Sequence, residues 1–159
     1  MRIFFDDEGQ VAQLVAEQAA QGMVLIGVGH TVDGNWLDFA PFEEHYVLQM
    51  KLAGHDGDTP PGYLRGATAS ITGALSLATA TGPVPASAIS GKMRIVLRDD
   101  AGKVAYVVKA TLQGGTFSLS VLTNKLPSGL MRIEERDFAP VEGKKVRLDA
   151  PIAFLIYDE

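Results

Sequence analysis

The sequence contains no cysteine, no long apolar run and no run of basic residues, and each absence removes a class of function. Without cysteine there is no disulfide, no thiolate metal site and no cysteine nucleophile. No stretch approaches the roughly 18 apolar residues that cross a bilayer, and the N-terminal run turns acidic after Phe5, unlike a signal peptide. The net charge is −5. We therefore expect a soluble protein, made in the cytoplasm, that binds neither nucleic acid nor an anionic membrane.

The length of 159 residues suits one domain, or one domain with a small attached unit, and a hydrophobic content of 47% suits a globular chain with a real core. The N-terminal part predicts a strand–helix–strand unit. Residues 3–5 form a short apolar run, and residues 23–28 form a longer one that is typical of a buried strand. Between them, apolar residues recur at helical spacing up to Gly22, which suits the end of a helix. These helical positions are Val11, Leu14, Val15 and Ala19.

A loop rich in glycine and proline separates this region from the rest of the chain. It covers residues 53–62 and includes Pro60 and Pro61. Ahead of it, residues 45–52 alternate loosely and suggest a further strand. Beyond it, helix-forming residues give way to threonine, serine, valine and isoleucine. We therefore divide the chain into an N-terminal unit, residues 1–60, and a second unit, residues 61–159.

The second unit predicts a β-sandwich. Met93, Ile95 and Leu97 alternate with basic residues, a turn rich in Asp and Gly follows at 99–102, and a second alternating run returns from residue 104. Six or seven short strands at regular spacing fit after Gly62. The predicted fold class is therefore mainly β (a β-rich α+β chain): an antiparallel, immunoglobulin-like sandwich preceded by the strand–helix–strand unit.

The outer face of this sandwich is unusually apolar. On the last strand Ile152, Phe154 and Ile156 point one way, yet the residues between them are apolar too, whereas a free-standing sandwich shows polar residues outside. Either the N-terminal helix covers this face or another subunit does. The residues of the predicted interface are Ala105, Val107, Ala153, Leu155 and Tyr157.

Aromatic residues cluster around the only tryptophan, Trp36, and include Phe39, Phe42 and Tyr46. Such a cluster can stack on a sugar ring and thereby make the chain a carbohydrate-binding module. The alternative is a small satellite core between the two units.

Polar clusters give little sign of catalysis. Glu43 and His45 could share a strand face, and with His30 they would supply three metal ligands for a small metal-dependent enzyme, but the spacing matches no metal motif. Residues 55–58 resemble a fragment of a calcium loop, which Pro60 and Pro61 interrupt. The serines lack the context of a nucleophile. We expect no enzyme, no bound metal and no cofactor.

The stretch from Lys92 to Glu159 resembles immunoglobulin-like modules of tailed-bacteriophage virion proteins. The resemblance rests on a rhythm of strand, Asp-x-x-Gly turn, strand and Leu-Pro-x-Gly turn, carried by residues 96–104, 115–119 and 126–130. It implies a structural or binding role in a capsid, tail or baseplate, located in the virion, with other virion proteins or further copies of the chain as partners. It brings no catalytic residues, and the N-terminal unit lies outside it.

Overall fold

The computed structural model describes residues 1–53 and 60–159. The chain is mainly β and forms two compact units. The first unit contains residues 1–44 together with residues 78–84, and the second contains residues 45–77 and 85–159. The fold class expected from the sequence is confirmed.

The first unit is built from three strands and one helix. The chain order is β1 (Arg2–Phe5), α1 (Gln10–Ala20), β2 (Met23–Thr31) and β3 (Gly34–Pro41), and β3 lies between β1 and β2 in the sheet, antiparallel to both. At the start of α1 the Gln10 side-chain oxygen accepts hydrogen bonds from the backbone N–H groups of Asp6 and Asp7. Gly22 follows the helix with a φ of 79°, so the predicted glycine terminator is confirmed.

Strand β2 differs from its prediction in burial. The apolar run was expected to be buried on both faces, but Ile26 and Val28 are 66% and 67% exposed. The reason is topological, because β2 lies at the edge of the sheet and pairs with β3 alone. A β-bulge interrupts this pairing between Leu25 and Gly27. The expectation of a strand is confirmed, and the expectation of full burial is wrong.

Ten strands form a sandwich of two five-stranded sheets, which makes up the second unit except for residues 78–84, grouped with the first unit. The strands are β4 (His45–Leu52), β5 (Gly62–Leu64), β6 (Thr68–Thr79), β7 (Gly82–Pro85), β8 (Gly91–Arg98), β9 (Val104–Leu112), β10 (Thr116–Leu122), β11 (Gly129–Ile133), β12 (Val146–Leu148) and β13 (Ile152–Tyr157). The first sheet has the order β10-β6-β4-β12, with β7 beside β6, and the second has the order β5-β13-β11-β8-β9. Two short 3₁₀ turns, Thr123–Lys125 and Glu135–Asp137, connect strands.

The core of the sandwich follows the predicted alternation. The inward residues of β8, β10 and β13 are all buried, whereas their neighbours point outward. Tyr63 packs edge-on against Phe154 with ring centroids 5.7 Å apart. Each fully buried aliphatic or aromatic side chain contributes about 1.5–3 kcal/mol, so this alternation largely determines the fold. The inward residues are Met93, Ile95, Leu97, Phe117, Leu119, Val121, Ile152, Phe154 and Ile156.

Strand β4 belongs to the sandwich, so the first boundary between the two units along the chain falls at 44/45 and not at the predicted 60/61. It lies between β6 and β12, and Tyr46, Leu48 and Met50 enter the sandwich core. Its pairing with β12 is parallel, as is that of β13 with β5. The sandwich is therefore not antiparallel throughout. Each parallel pair joins segments that lie far apart in the chain, since a tight turn cannot connect two parallel strands.

Candidate interaction surface

The outer face of the second sheet carries a group of exposed and half-buried apolar side chains at one side. Because Phe154 and Ile156 point into the core, Leu155 and Tyr157 point outward, and they are 42% and 47% exposed. Leu130 of β11 lies directly opposite Leu155 and shares its face. We call these three residues, Leu130, Leu155 and Tyr157, the apolar strip.

Several contacts hold the apolar strip in place. The Tyr157 ring lies over Gly62, whose Cβ position would be 3.2 Å from the ring. The Leu155 N–H donates to the Pro61 carbonyl at 2.8 Å. Next to Tyr157, Asp158 accepts hydrogen bonds from Arg65, at 2.5 Å, and from Ser128. The Arg65 bond, followed by the Ser128 bond, lowers the pKa of Asp158 below its usual value. The C-terminal end of β13 is therefore fixed and presents its apolar side chains rigidly.

Ala153 does not extend the apolar strip, because charged groups lie beside it. Its cross-strand partner is Arg132, and the next strand places Arg98 opposite Arg132. Arg98 forms a bidentate pair with Asp137, with N–O distances of 2.6 and 2.7 Å, and donates to the Gly102 carbonyl at 2.8 Å. The Arg98 hydrogen bonds hold the pKa of Asp137 below its usual range. The predicted apolar face is thus interrupted at Ala153.

The two predicted interface residues of β9 have different positions. A bulge in the β8–β9 pairing shifts the register between Leu97 and Arg98. As a result Ala105 packs against the sandwich core and Val104 is exposed, so the assignment of Ala105 to the outer interface is wrong. Val107 is outward and exposed, as expected. It lies on β9, three strand spacings or roughly 14 Å from β13.

The predicted interface therefore separates into parts. Leu155 and Tyr157 lie together, while Ala153 lies beside Arg132 and Val107 lies on β9 opposite Val96. Leu130 completes the apolar strip but was not predicted. Its signal was present in the sequence, since Leu130 precedes the inward residues Met131 and Ile133 at the alternate position.

The Trp36 indole has both faces occupied. It lies over Gly27 and Gly29 of the neighbouring strand, and the Arg2 guanidinium carbon is 3.8 Å from its ring centroid on a cation–π contact. Arg2 is held there by Asp38, at 2.7 and 3.0 Å, and this hydrogen bonding lowers the pKa of Asp38. A sugar ring needs an open aromatic face, so this arrangement does not favour stacking at Trp36.

Two of the other predicted stacking residues are buried and present no open ring to a ligand. Phe39 is buried and lies on the opposite face of its strand, because successive strand residues alternate. Tyr46 is buried in the core of the sandwich. Phe42, just after β3, is half-buried. The prediction of a ligand-stacking surface is therefore wrong for Phe39 and Tyr46.

The candidate metal ligands do not assemble in the part of the chain that the structure describes. No group of three or more potential metal-ligating side chains occurs there. His30 instead pairs with Asn35 of the neighbouring strand, with an Nδ1–Oδ1 distance of 2.8 Å. The possible calcium loop, residues 55–58, lies outside the described residues. Within residues 1–53 and 60–159 no helix has the length and apolar character to span a membrane.

Comparisons with known proteins give likenesses to solved structures alone. No protein-family model matches the sequence, and no curated protein matches it significantly. The CARDB domain of a Pyrococcus furiosus protein, solved with di-metal ions, shares 12% identity over 76% of this chain and 100% of its own, with a TM-score of 0.37.

Two structures of a Listeria innocua β-glucosidase, one a mutant with laminaribiose and one with isofagomine, share 14% and 13% identity with this chain. The matches cover 81% and 82% of this chain, and each has a TM-score of 0.37. The match spans 19% of the length of either enzyme chain. At these TM-scores the likeness supports no statement about function.

Proposed function

We propose that this chain is a non-catalytic structural protein that works through protein–protein contacts, as a component of a bacteriophage virion such as a capsid decoration, tail or baseplate protein. The observation that supports the contact role is the exposure of Leu155 and Tyr157 on a rigid strand beside Leu130. Large apolar groups that are fixed and exposed on a folded surface are typical of interaction sites. The occupant is another virion protein or a second copy.

The virion role has a separate support. It rests on the resemblance of residues 92–159 to phage modules. The solved structures named above, a CARDB domain and a β-glucosidase, add nothing to it. Detection of the chain by mass spectrometry in purified phage particles tests this role. Its absence from particles whose genome encodes it would remove the virion role and leave the contact role standing.

The contact role is tested by substitution within the apolar strip. We expect light scattering at micromolar concentration to show an oligomer, or a complex with a co-expressed virion protein, that Leu155→Glu weakens at least tenfold. The loss of affinity is large because the contact would bury the introduced carboxylate against apolar groups that cannot hydrogen-bond to it. Leu122→Glu is the matched control, because Leu122 is also an exposed leucine on an outward strand position. Equal behaviour of both variants and the parent chain would refute the contact.

A further inference from the structure

Charge is divided unevenly between the two units. The first unit, residues 1–44 and 78–84, contains eight carboxylate side chains and a single lysine or arginine, Arg2, so the formal charge of its side chains is −7. That one cation is already bound by Asp38. The second unit contains thirteen cations and eleven carboxylate side chains, a net charge of +2. The overall charge of −5 therefore conceals two units of opposite sign. We call the first the acidic unit.

The carboxylates of the acidic unit are displayed to solvent. Asp6, Asp7, Glu8 and Glu17 are all exposed, three of them in the connection between β1 and α1. Asp7 accepts a hydrogen bond from the Gly9 N–H. Among the residues that the structure describes, none donates to the carboxylates of Asp6 or Glu8, which leaves both able to meet an external cation.

The cations of the second unit include a row on the outer face of β8 and β9. Arg94 lies directly opposite Lys109, and Lys92 lies opposite Thr111, with an Nζ–Oγ1 distance of 2.5 Å. All three cations are exposed. We call Lys92, Arg94 and Lys109 the basic strip. Within residues 1–53 and 60–159 no carboxylate forms an ion pair with any of the three.

This arrangement costs stability in an isolated chain. Like charges directly opposite each other on paired strands repel. Asp137, the carboxylate that Arg94 influences electrostatically, already accepts from Nε and Nη2 of Arg98 and cannot also neutralise the strip. A face built in this way becomes favourable when a partner brings carboxylates to it.

We infer that the basic strip docks the acidic unit of a second copy of this chain. Charge complementarity selects this occupant, because the side chains of the acidic unit have a formal charge of −7 and the carboxylates of Asp6 and Glu8 are exposed, with no described residue donating to them. The inference deepens the proposed structural role and rests on it. The two surfaces are different patches, so the contact either closes reciprocally in a two-fold dimer or repeats from copy to copy into a ring or a filament.

Matched charge reversals test the contact. Arg94→Glu with Lys109→Glu reverses the basic strip, and Asp6→Lys with Glu8→Lys reverses part of the acidic unit. Both tests use a Leu155→Glu background, which removes the contact of the apolar strip. In this background, sedimentation velocity at about 0.01 M and about 1 M NaCl should show association of the otherwise unchanged chain only at low salt, since the Debye length falls from ~30 to ~3 Å. Each reversed variant alone should associate at least about tenfold more weakly.

Mixing the two reversed variants is the decisive step. The unchanged acidic unit of the first fits the unchanged basic strip of the second, and the reversed surfaces fit each other. Association should therefore return in the mixture. Lys51→Glu with Lys125→Glu makes the same charge change elsewhere on the second unit and should leave association intact. Circular dichroism of every variant verifies folding, and Arg94→Gln with Lys109→Gln replaces a reversal that fails to fold.

Other outcomes overturn the inference. A parent chain that stays monomeric at low salt, or a mixture that fails to associate, refutes the second copy as the occupant. A monomeric chain whose basic strip binds heparin identifies a polyanion instead. Salt and Leu155→Glu distinguish the two contacts. The contact of the apolar strip persists at 1 M NaCl and disappears with Leu155→Glu, whereas the contact of the basic strip disappears at 1 M NaCl and persists with Leu155→Glu.

Discussion

The Trp36 indole offers a sharp test of how closely packed the first unit is. A Cβ added at Gly29 would lie 2.2 Å from Cζ2 of Trp36, whereas one added at Gly27 would lie 3.8 Å from Cζ3. Non-bonded carbon atoms settle at about 3.5–4.0 Å. Gly29→Ala therefore forces the indole to move, and Gly27→Ala, on the same strand and under the same ring, does not.

The size of the effect follows from these distances. Overpacking a well-packed site costs about 1–3 kcal/mol. Both substitutions also replace a glycine inside a strand, a change worth about 0.5–1 kcal/mol in favour of alanine, and this gain cancels between them. The free energy of unfolding of Gly29→Ala should thus lie about 1–3 kcal/mol below that of Gly27→Ala. The indole cannot retreat without cost, because Arg2 stacks on its other face.

The assay uses Trp36 itself, which is the only tryptophan in the chain. Urea unfolding followed by its fluorescence should give a lower midpoint for Gly29→Ala, and the emission of the folded variant should shift to longer wavelength as the indole becomes more exposed. Equal midpoints and equal emission maxima for the two variants would refute the reasoning. Such a result would mean that the indole does not rest on the glycines in solution.

Two further substitutions test the sandwich. Asp137→Asn should lower the free energy of unfolding at pH 7 by about 1.5–3 kcal/mol, because it breaks a charged bidentate bond to Arg98. The folded pKa of Asp137 is depressed, so this contribution to stability is complete above the unfolded pKa near 3.9 and is lost as the pH falls through the folded pKa. If urea titrations show the same difference in unfolding free energy between the parent chain and Asp137→Asn at pH 2 as at pH 7, this reasoning is contradicted. Gly73→Ala should destabilise the chain by about 1–3 kcal/mol, because its Cβ would fall 2.2 Å from the Phe117 ring. Thermal unfolding tests it against Thr72→Ala at the exposed neighbouring position, and equal melting temperatures would argue against the close contact.

Alternation within strands was the part of the fold that the sequence predicted best. The inward sets of β8, β10 and β13 could be predicted because their period of two reports burial on one side of a sheet. The turn at Asp99 was also predictable, since its side chain accepts hydrogen bonds from the backbone N–H groups of Ala101 and Lys103. These features depend on residues close together in the chain.

Features that depend on distant partners were not predictable. The place of β4 depends on β12, about one hundred residues further along, so nothing within residues 45–52 indicates it. The β8–β9 bulge turns Val104 outward and Ala105 towards the core, and its position depends on the cross-strand register. Of the candidate interface, Leu155 and Tyr157 were predicted as outward residues. The charged residues that separate Ala153 from Val107 lie on neighbouring strands, whose order the sequence did not give.

The bulge at Ile26 has a consequence for solubility. An uncharged, apolar edge strand of nine residues is an effective template for fibril growth, because a foreign strand can pair along its whole length. The bulge interrupts the regular ladder near the middle of β2 and leaves a shorter regular stretch on either side. An incoming strand therefore cannot keep one register across it. In this way the chain retains an apolar edge in water and still restricts strand-by-strand polymerisation.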